Sequence, residues 1–257
     1  MTVRDVYFYI DSLAPFSTQD KFDNSGLLAG DFDAEVTKIA VCLDITHEVI
    51  DEAAALGANL IISHHPVIFH PLKSVYAGSV VYSLIEKKMN AICVHTNIDM
   101  AKGGITDIML ELLDYKSDEV LQIIHPELGL GYGKIVTLDF ASDAKSLAEL
   151  CKKAFGCTVV RYCDNNRPCM RIAICSGAGG SDSDVIHAAE LGCDALITGD
   201  VKWSAFVEGK NRSVAVIDAG HFHTENVLCN VLVSKLTQEF EADVFVPSSN
   251  EDLCRYL

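Results

Sequence analysis

Positive charge is scarce in this chain: Lys and Arg number 20 against 36 Asp and Glu, a formal net charge of −16 over 257 residues. A field of that sign repels a phosphate backbone, so non-specific nucleic-acid binding is disfavoured unless bound cations reverse it locally. Long hydrophobic runs are missing as well. No apolar stretch approaches the roughly 20 residues of a membrane helix. Met1-Thr2-Val3-Arg4-Asp5 leads into a mixed, charged segment rather than a signal-peptide core. The expectation is a cytoplasmic protein with no membrane partner. The ten cysteines include no C-x-x-C pair, so zinc-ribbon and thioredoxin-type motifs are not indicated. Cys151, Cys157, Cys163, Cys169 and Cys175 recur every six residues, but that run crosses a helix, a strand and a turn. Buried reduced thiols are the expected reading.

What the chain does have is apolar material, 49% of its residues. That suffices for one large α/β domain or two lobes. Residues 58–62 read as a buried strand, which then runs into Ser63-His64-His65-Pro66. Pro66 cannot continue a central strand, and open α/β sheets bind ligands outside the carboxyl ends of their strands. His64 and His65 are thus delivered to the edge where chemistry sits. Taken alone, the pair fits metal ligation and an ordinary hydrogen-bonded loop equally well.

Periodicity and capping place helices at 5–13, 46–56, 79–88 and 106–113, and strands at 38–43 and 90–94. In the second half helices fall at 146–155, 182–191 and 223–236, with strands at 158–162, 170–175, 194–198 and 213–218. Residues 114–145 and 199–212 carry no assignment. Ile39-Ala40-Val41-Cys42 is echoed by Ile172-Ala173-Ile174-Cys175, and the segment 55–63 by 190–198. The shared strand-helix-Gly-strand spacing predicts a duplicated α/β unit. Its two lobes, with mixed sheets, would occupy about 1–125 and 126–257, intertwined, with pseudo-equivalent strand ends able to face each other.

Two more clusters sit at strand ends: His95-Thr96-Asn97-Ile98-Asp99, and Asp218-Ala219-Gly220-His221-Phe222-His223-Thr224-Glu225. His221 and Glu225 are four apart at a helix start, so they share a face and can share a metal. A His/Asp/Glu set without a cysteine suits Zn, Mn, Fe or Co. The bland alternatives are that Asp99 only caps a helix and Glu225 only serves its helix dipole. Ser176-Gly177-Ala178-Gly179-Gly180 has the look of a phosphate-cradling loop but lacks a P-loop lysine; close strand–helix packing explains it as well.

Taken with Asp23-Asn24-Ser25-Gly26-Leu27 and Ile197-Thr198-Gly199-Asp200, these segments resemble, in order and over nearly the whole chain, the motif series of the Nif-three-like dinuclear metal-centre family, whose members are often labelled type 2 homologues of GTP cyclohydrolase I. The resemblance implies two divalent metal ions in the cleft between the lobes, held by His64, His65, Asp99, His221 and Glu225, with Glu225 bridging. It also implies a homohexamer, with His95 beside the metals as a supporting or acid/base group; Asp23 and Asn24 are expected to shape the pocket. The reading is then a metal-dependent hydrolase that uses metal-bound hydroxide on a nucleotide-like or phosphorylated small molecule. The alternatives are a metal carrier or insertion factor, or an interaction module held by its metals. One departure stands out: relatives place a histidine shortly after Thr-Gly-Asp, where this chain reads Val201-Lys202-Trp203-Ser204.

Overall fold

Five four-residue strands are buried at every residue, three in one compact unit and two in the other, and they explain why the histidine strand reads as an uninterrupted apolar run. The computed structural model describes residues 1–257. Its units are 1–101 with 228–253, and 102–227 with 254–257.

In the first unit β1 (Gly26–Ala29), β2 (Ile39–Cys42), β3 (Leu60–Ser63), β4 (Asn90–Cys93) and β11 (Val244–Phe245) form one sheet in the order β1-β4-β3-β2-β11. The strands β2, β3 and β4 run parallel, with Ile61 opposite both Ala40 and Ala91. β1 closes one edge antiparallel on β4. Helices α2 (His47–Ala55) and α3 (Val80–Glu86) are the crossovers between the parallel strands. Each begins on a hydroxyl cap, Thr46 accepting from Val49 N and Ser79 from Tyr82 N, which satisfies a helix-end donor that would otherwise lack a partner. Further helices are α1 (Val3–Leu13), the five-residue α4 (Thr96–Met100), and α10 (Val227–Phe240), which from Leu228 belongs with this unit.

The second unit repeats the plan. It comprises α5 (Ile105–Leu112), β5 (Val120–His125), β6 (Leu130–Ser142), α6 (Ala144–Ala154), β7 (Arg161–Cys163), β8 (Cys169–Ile174), α7 (Asp182–Glu190), β9 (Ala195–Thr198), α8 (Trp203–Arg212), β10 (Ala215–Asp218) and the five-residue α9 (His221–Glu225). The sheet order is β5-β6-β8-β9-β10-β7. Here β8, β9 and β10 are parallel, and β7 closes an edge antiparallel on β10. Each unit therefore has three consecutive parallel strands, an antiparallel edge strand against the third, and a one-turn helix directly after it. The α/β class with mixed sheets and the repeat both stand.

The unassigned stretch 114–145 holds the hairpin of β5 and the 13-residue β6. Gly131 and Gly133 interrupt its strand pattern, yet both are there for close approach. A Cβ on Gly131 would collide with the backbone of Gln122, and Gly133 takes φ +67° against the Ile174 carbonyl. The stretch 199–212 holds α8. The strand expected at 158–162 is confined to Arg161–Cys163. The helix expected at 223–236 begins earlier, and Asn226 separates α9 from α10.

The last residues of the first unit are tied down by one carboxylate. Glu52 of α2 accepts from Ser248 N, Ser248 Oγ and Ser249 N, each at 2.8 Å. Hydrogen bonding by Ser249 and Ser248 lowers its pKa from 4.5 to about 2. A depressed carboxyl stabilises the fold above its unfolded pKa and loses that contribution as pH falls toward its folded value. Protection of the Ser248 and Ser249 amides from hydrogen exchange is therefore expected to be complete above about pH 4.5 and to fade toward pH 2. In Glu52→Ala it is expected to be low throughout; a pH-independent wild-type profile would contradict this.

Candidate metal centre

Metal-binding histidines need one ring nitrogen held by the protein so that the other presents a lone pair. The histidines at the strand ends meet that requirement one by one. After β3, His64 Nδ1 donates to the Val94 carbonyl at 2.9 Å, and His65 Nδ1 pairs with Asp44 Oδ1 at 2.8 Å. After β4, His95 Nδ1 pairs with Asp23 Oδ1 at 2.8 Å. After β10, His221 Nδ1 pairs with Asp200 Oδ2 at 2.7 Å. In each ring Nδ1 is the nitrogen committed to a protein acceptor, which fixes the direction in which Nε2 points.

Within the first unit His64, His65 and His95 bring their ring nitrogens within 4.8 Å of one another. Asp99 Oδ1 lies 3.7 Å from His64 Nε2. His64 is 1% exposed, so the strand end delivers it into the interior. The other members of the His95–Asp99 motif are structural. Thr96 Oγ1 accepts from Asp20 N and donates to Asp23, and Asn97 Nδ2 donates to the Ala14 carbonyl at the end of α1.

Asp23 is a hub. It accepts from Asn24 N, Ser25 Oγ, Thr96 N, Thr96 Oγ1 and His95 Nδ1. Burial opposes its charge, but the bonds from His95 and Thr96 outweigh that and hold its carboxyl well below the usual carboxylate range. Asn24 donates to the Ile68 carbonyl at 2.6 Å and so latches the loop that follows Pro66.

In the second unit His221 Nε2 lies 2.8 Å from Glu225 Oε2, the i,i+4 pair expected from their spacing. Burial opposes charge on His221, but the bonds to Glu225 and Asp200 win and raise its pKa to about 9. The glycine loop after β8 wraps this pair. Gly177 N donates to Thr224 Oγ1 at 3.0 Å, and a Cβ on Gly177 would fall on Glu225 Oε1 and crowd His221 Nε2. The loop therefore belongs to the carboxylate–histidine pair, which the phosphate-loop reading did not foresee.

These donors fit divalent metal ions in their chemistry: imidazole and carboxylate at strand ends, with the glycine cradle leaving room at Glu225. Thiolate ligation does not fit. Burial pushes the Cys93 thiol well above its ordinary value, and its Sγ is bonded to the His64 carbonyl. Asp44, Asp200 and Gly177 are the site residues that motif reading missed or left without a role. Their signal was positional, since Asp44 and Gly177 follow β2 and β8, the strands the repeat makes equivalent.

Comparison with known proteins follows the same lines. The model of the family described as Duf34/NIF3 (NGG1p interacting factor 3) matches residues 1–252. A Clostridium perfringens protein named GTP cyclohydrolase 1 type 2 homolog is 32% identical over 249 residues, covering 95% of this chain and 94% of its own. One of the same name from Clostridium acetobutylicum is 33% identical over 242 residues, covering 92% and 90%. Among solved structures, Staphylococcus aureus protein SA1388 has a TM-score of 0.89 at 28% identity, covering 100% of this chain and 99% of that one. A Bacillus cereus protein related to NIF3 has a TM-score of 0.90 at 20% identity over the same shares, a likeness of fold.

Gly177→Ala tests the cradle. Gly177 and Gly192 take φ of +59° and +73°, so alanine at either costs about 1–2 kcal/mol of backbone strain. At Gly192 nothing lies within 4 Å of the added Cβ. Both variants should lose a few degrees of Tm, but only Gly177→Ala should also lose bound metal, read by elemental analysis. Equal metal content in the two would remove the cradle argument.

Proposed function

The chain belongs to the Duf34/NIF3 family, and from that premise we propose that it is a dinuclear divalent-metal protein and a metal-dependent hydrolase of a nucleotide-like or phosphorylated small molecule. The observation that carries the reading is that His64, His65, His95 and His221 each have Nδ1 held by a carboxylate or a carbonyl. In this proposal His64, His65 and Asp99 supply one set of donors and His221 and Glu225 the other, for two ions of Zn, Fe, Mn or Co. Such a pair of ions, when bound, supplies Lewis acidity toward a carbonyl or phosphoryl oxygen and activates water.

The residues around the ligands have separable roles. Asp44 and Asp200 orient His65 and His221; removing such partners typically costs about 10–100-fold in metal affinity. His95 takes and returns a proton at Nε2, while the Asp23 carboxylate holds Nδ1 and orients the ring. Asn24 keeps the loop after Pro66 in place through its bond to the Ile68 carbonyl. The assembly expected from the family resemblance is a homohexamer.

Elemental analysis of wild type and of Glu225→Ala, purified without chelator or added metal, tests the ligand set. About two divalent ions per chain in the wild type and a clear loss in the variant are expected. Near-zero metal that reconstitution cannot restore would overturn it. A screen of nucleotide ring opening and of phosphoester cleavage then tests turnover. His95→Gln is expected to keep its metal while losing at least 100-fold in rate, in line with general acid–base contributions of about 10²–10⁴. Metal that passes to an apo-acceptor with no turnover on either substrate class would favour a carrier instead.

A further inference from the structure

A groove of about 540 Å³ opens on the second unit between β7 and α8, lined by residues that the histidine clusters do not use. Its size falls within the range of small-molecule sites, roughly 300–1,000 Å³. Tyr162, Phe206 and Trp203 line it, with Val207 among them. Trp203 is the only tryptophan in the chain and is 80% exposed. Large aromatic faces left open to water in a concave setting are stacking platforms.

The same groove carries cations on a strongly acidic protein. Arg161 lies over the Phe206 ring at 5.4 Å. Its guanidinium is fixed there by the buried Asp218 carboxylate and by the Val201 carbonyl at 2.9 Å. Lys210 adds a second cation to the lining. Net charge −16 disfavours an anion almost anywhere else on this surface. The outer edge strand β7 is three residues long, too short to template the extended pairing that a peptide strand would need. A concave, aromatic, locally cationic wall suits a small ligand better than a strand.

We propose that this groove binds a small molecule that joins a planar aromatic ring to an anionic group, the ring stacking on Trp203 and the anion meeting Lys210 and Arg161. Neither the metal centre nor the hydrolase reading is needed for this binding.

Because Trp203 is the single tryptophan, its fluorescence reports on the groove directly. Full-length protein excited at 295 nm would be titrated with adenosine monophosphate, with adenosine, and with phenyl phosphate. Saturable quenching by at least one of the two anions is expected, with adenosine at least tenfold weaker than adenosine monophosphate. Phenyl phosphate binding as well as the nucleotide would indicate a general aryl-acid site, and nucleotide binding alone a base-selective one. Lys210→Ala, an exposed change on α8, should weaken the anion at least tenfold with unchanged Tm. Trp203→Ala, read by ligand-observed NMR, should do the same. Quenching that does not saturate, equal affinity for adenosine and adenosine monophosphate, or insensitivity to Lys210→Ala would overturn the proposal. So would a Trp203 shielded from acrylamide at every protein concentration, because the groove would then be covered.

Discussion

The metal-centre reading depends on one constraint, the commitment of Nδ1 in each strand-end histidine to a fixed acceptor. A ring with both nitrogens free can flip, change tautomer or bind a proton at either end. A ring pinned at Nδ1 offers Nε2 in one direction. Three of the four acceptors are carboxylates, those of Asp44, Asp23 and Asp200. They fix orientation and tautomer together. The fourth, the Val94 carbonyl, serves the most buried ring, His64. A backbone acceptor spares the interior a second charge there, whose desolvation would be costly.

The duplicated fold makes this arrangement economical. In each unit a buried parallel strand ends, the chain turns, and a histidine stands ahead of or at the start of a one-turn helix with an acid four residues on: His95 and Asp99 in the first, His221 and Glu225 in the second. Opposite polarity of use has then grown up between the copies. The first has His64 and His65 at the end of β3, where the second, at the end of β9, has Gly199 and Asp200, and Asp200 orients a histidine instead of being one. Gly177, after β8, answers to the position after β2, where Asp44 orients His65. One copy is rich in imidazole, the other in carboxylate and glycine.

Much of this was legible in the sequence because most of the parallel strands are short and fully buried, and β3 and β9 run directly into His64 and Gly199. The segments that escaped did so for physical reasons. The β5–β6 hairpin hides behind Gly131 and Gly133, which mimic a turn but serve strand contact. The boundary of α9 was missed because Gly220, at φ +86°, starts the helix two residues earlier than the apolar periodicity suggests. Of the site, the histidines and acids of the motifs were readable, and the i,i+4 pairing of His221 with Glu225 followed from spacing alone. The orienting carboxylates were not, because Asp44 and Asp200 act through contacts 21 residues away in sequence, which no local pattern encodes. The glycine loop was legible as a close approach, but what it approaches was not.

The most direct test of the central claim is X-ray absorption at the metal K-edge of the protein as purified. The account predicts a first shell of nitrogen and oxygen, with the outer-shell scattering of imidazole rings bound through Nε2 and no sulfur. A sulfur shell, in a chain with ten cysteines, or a shell of water oxygens without imidazole scattering, would contradict it.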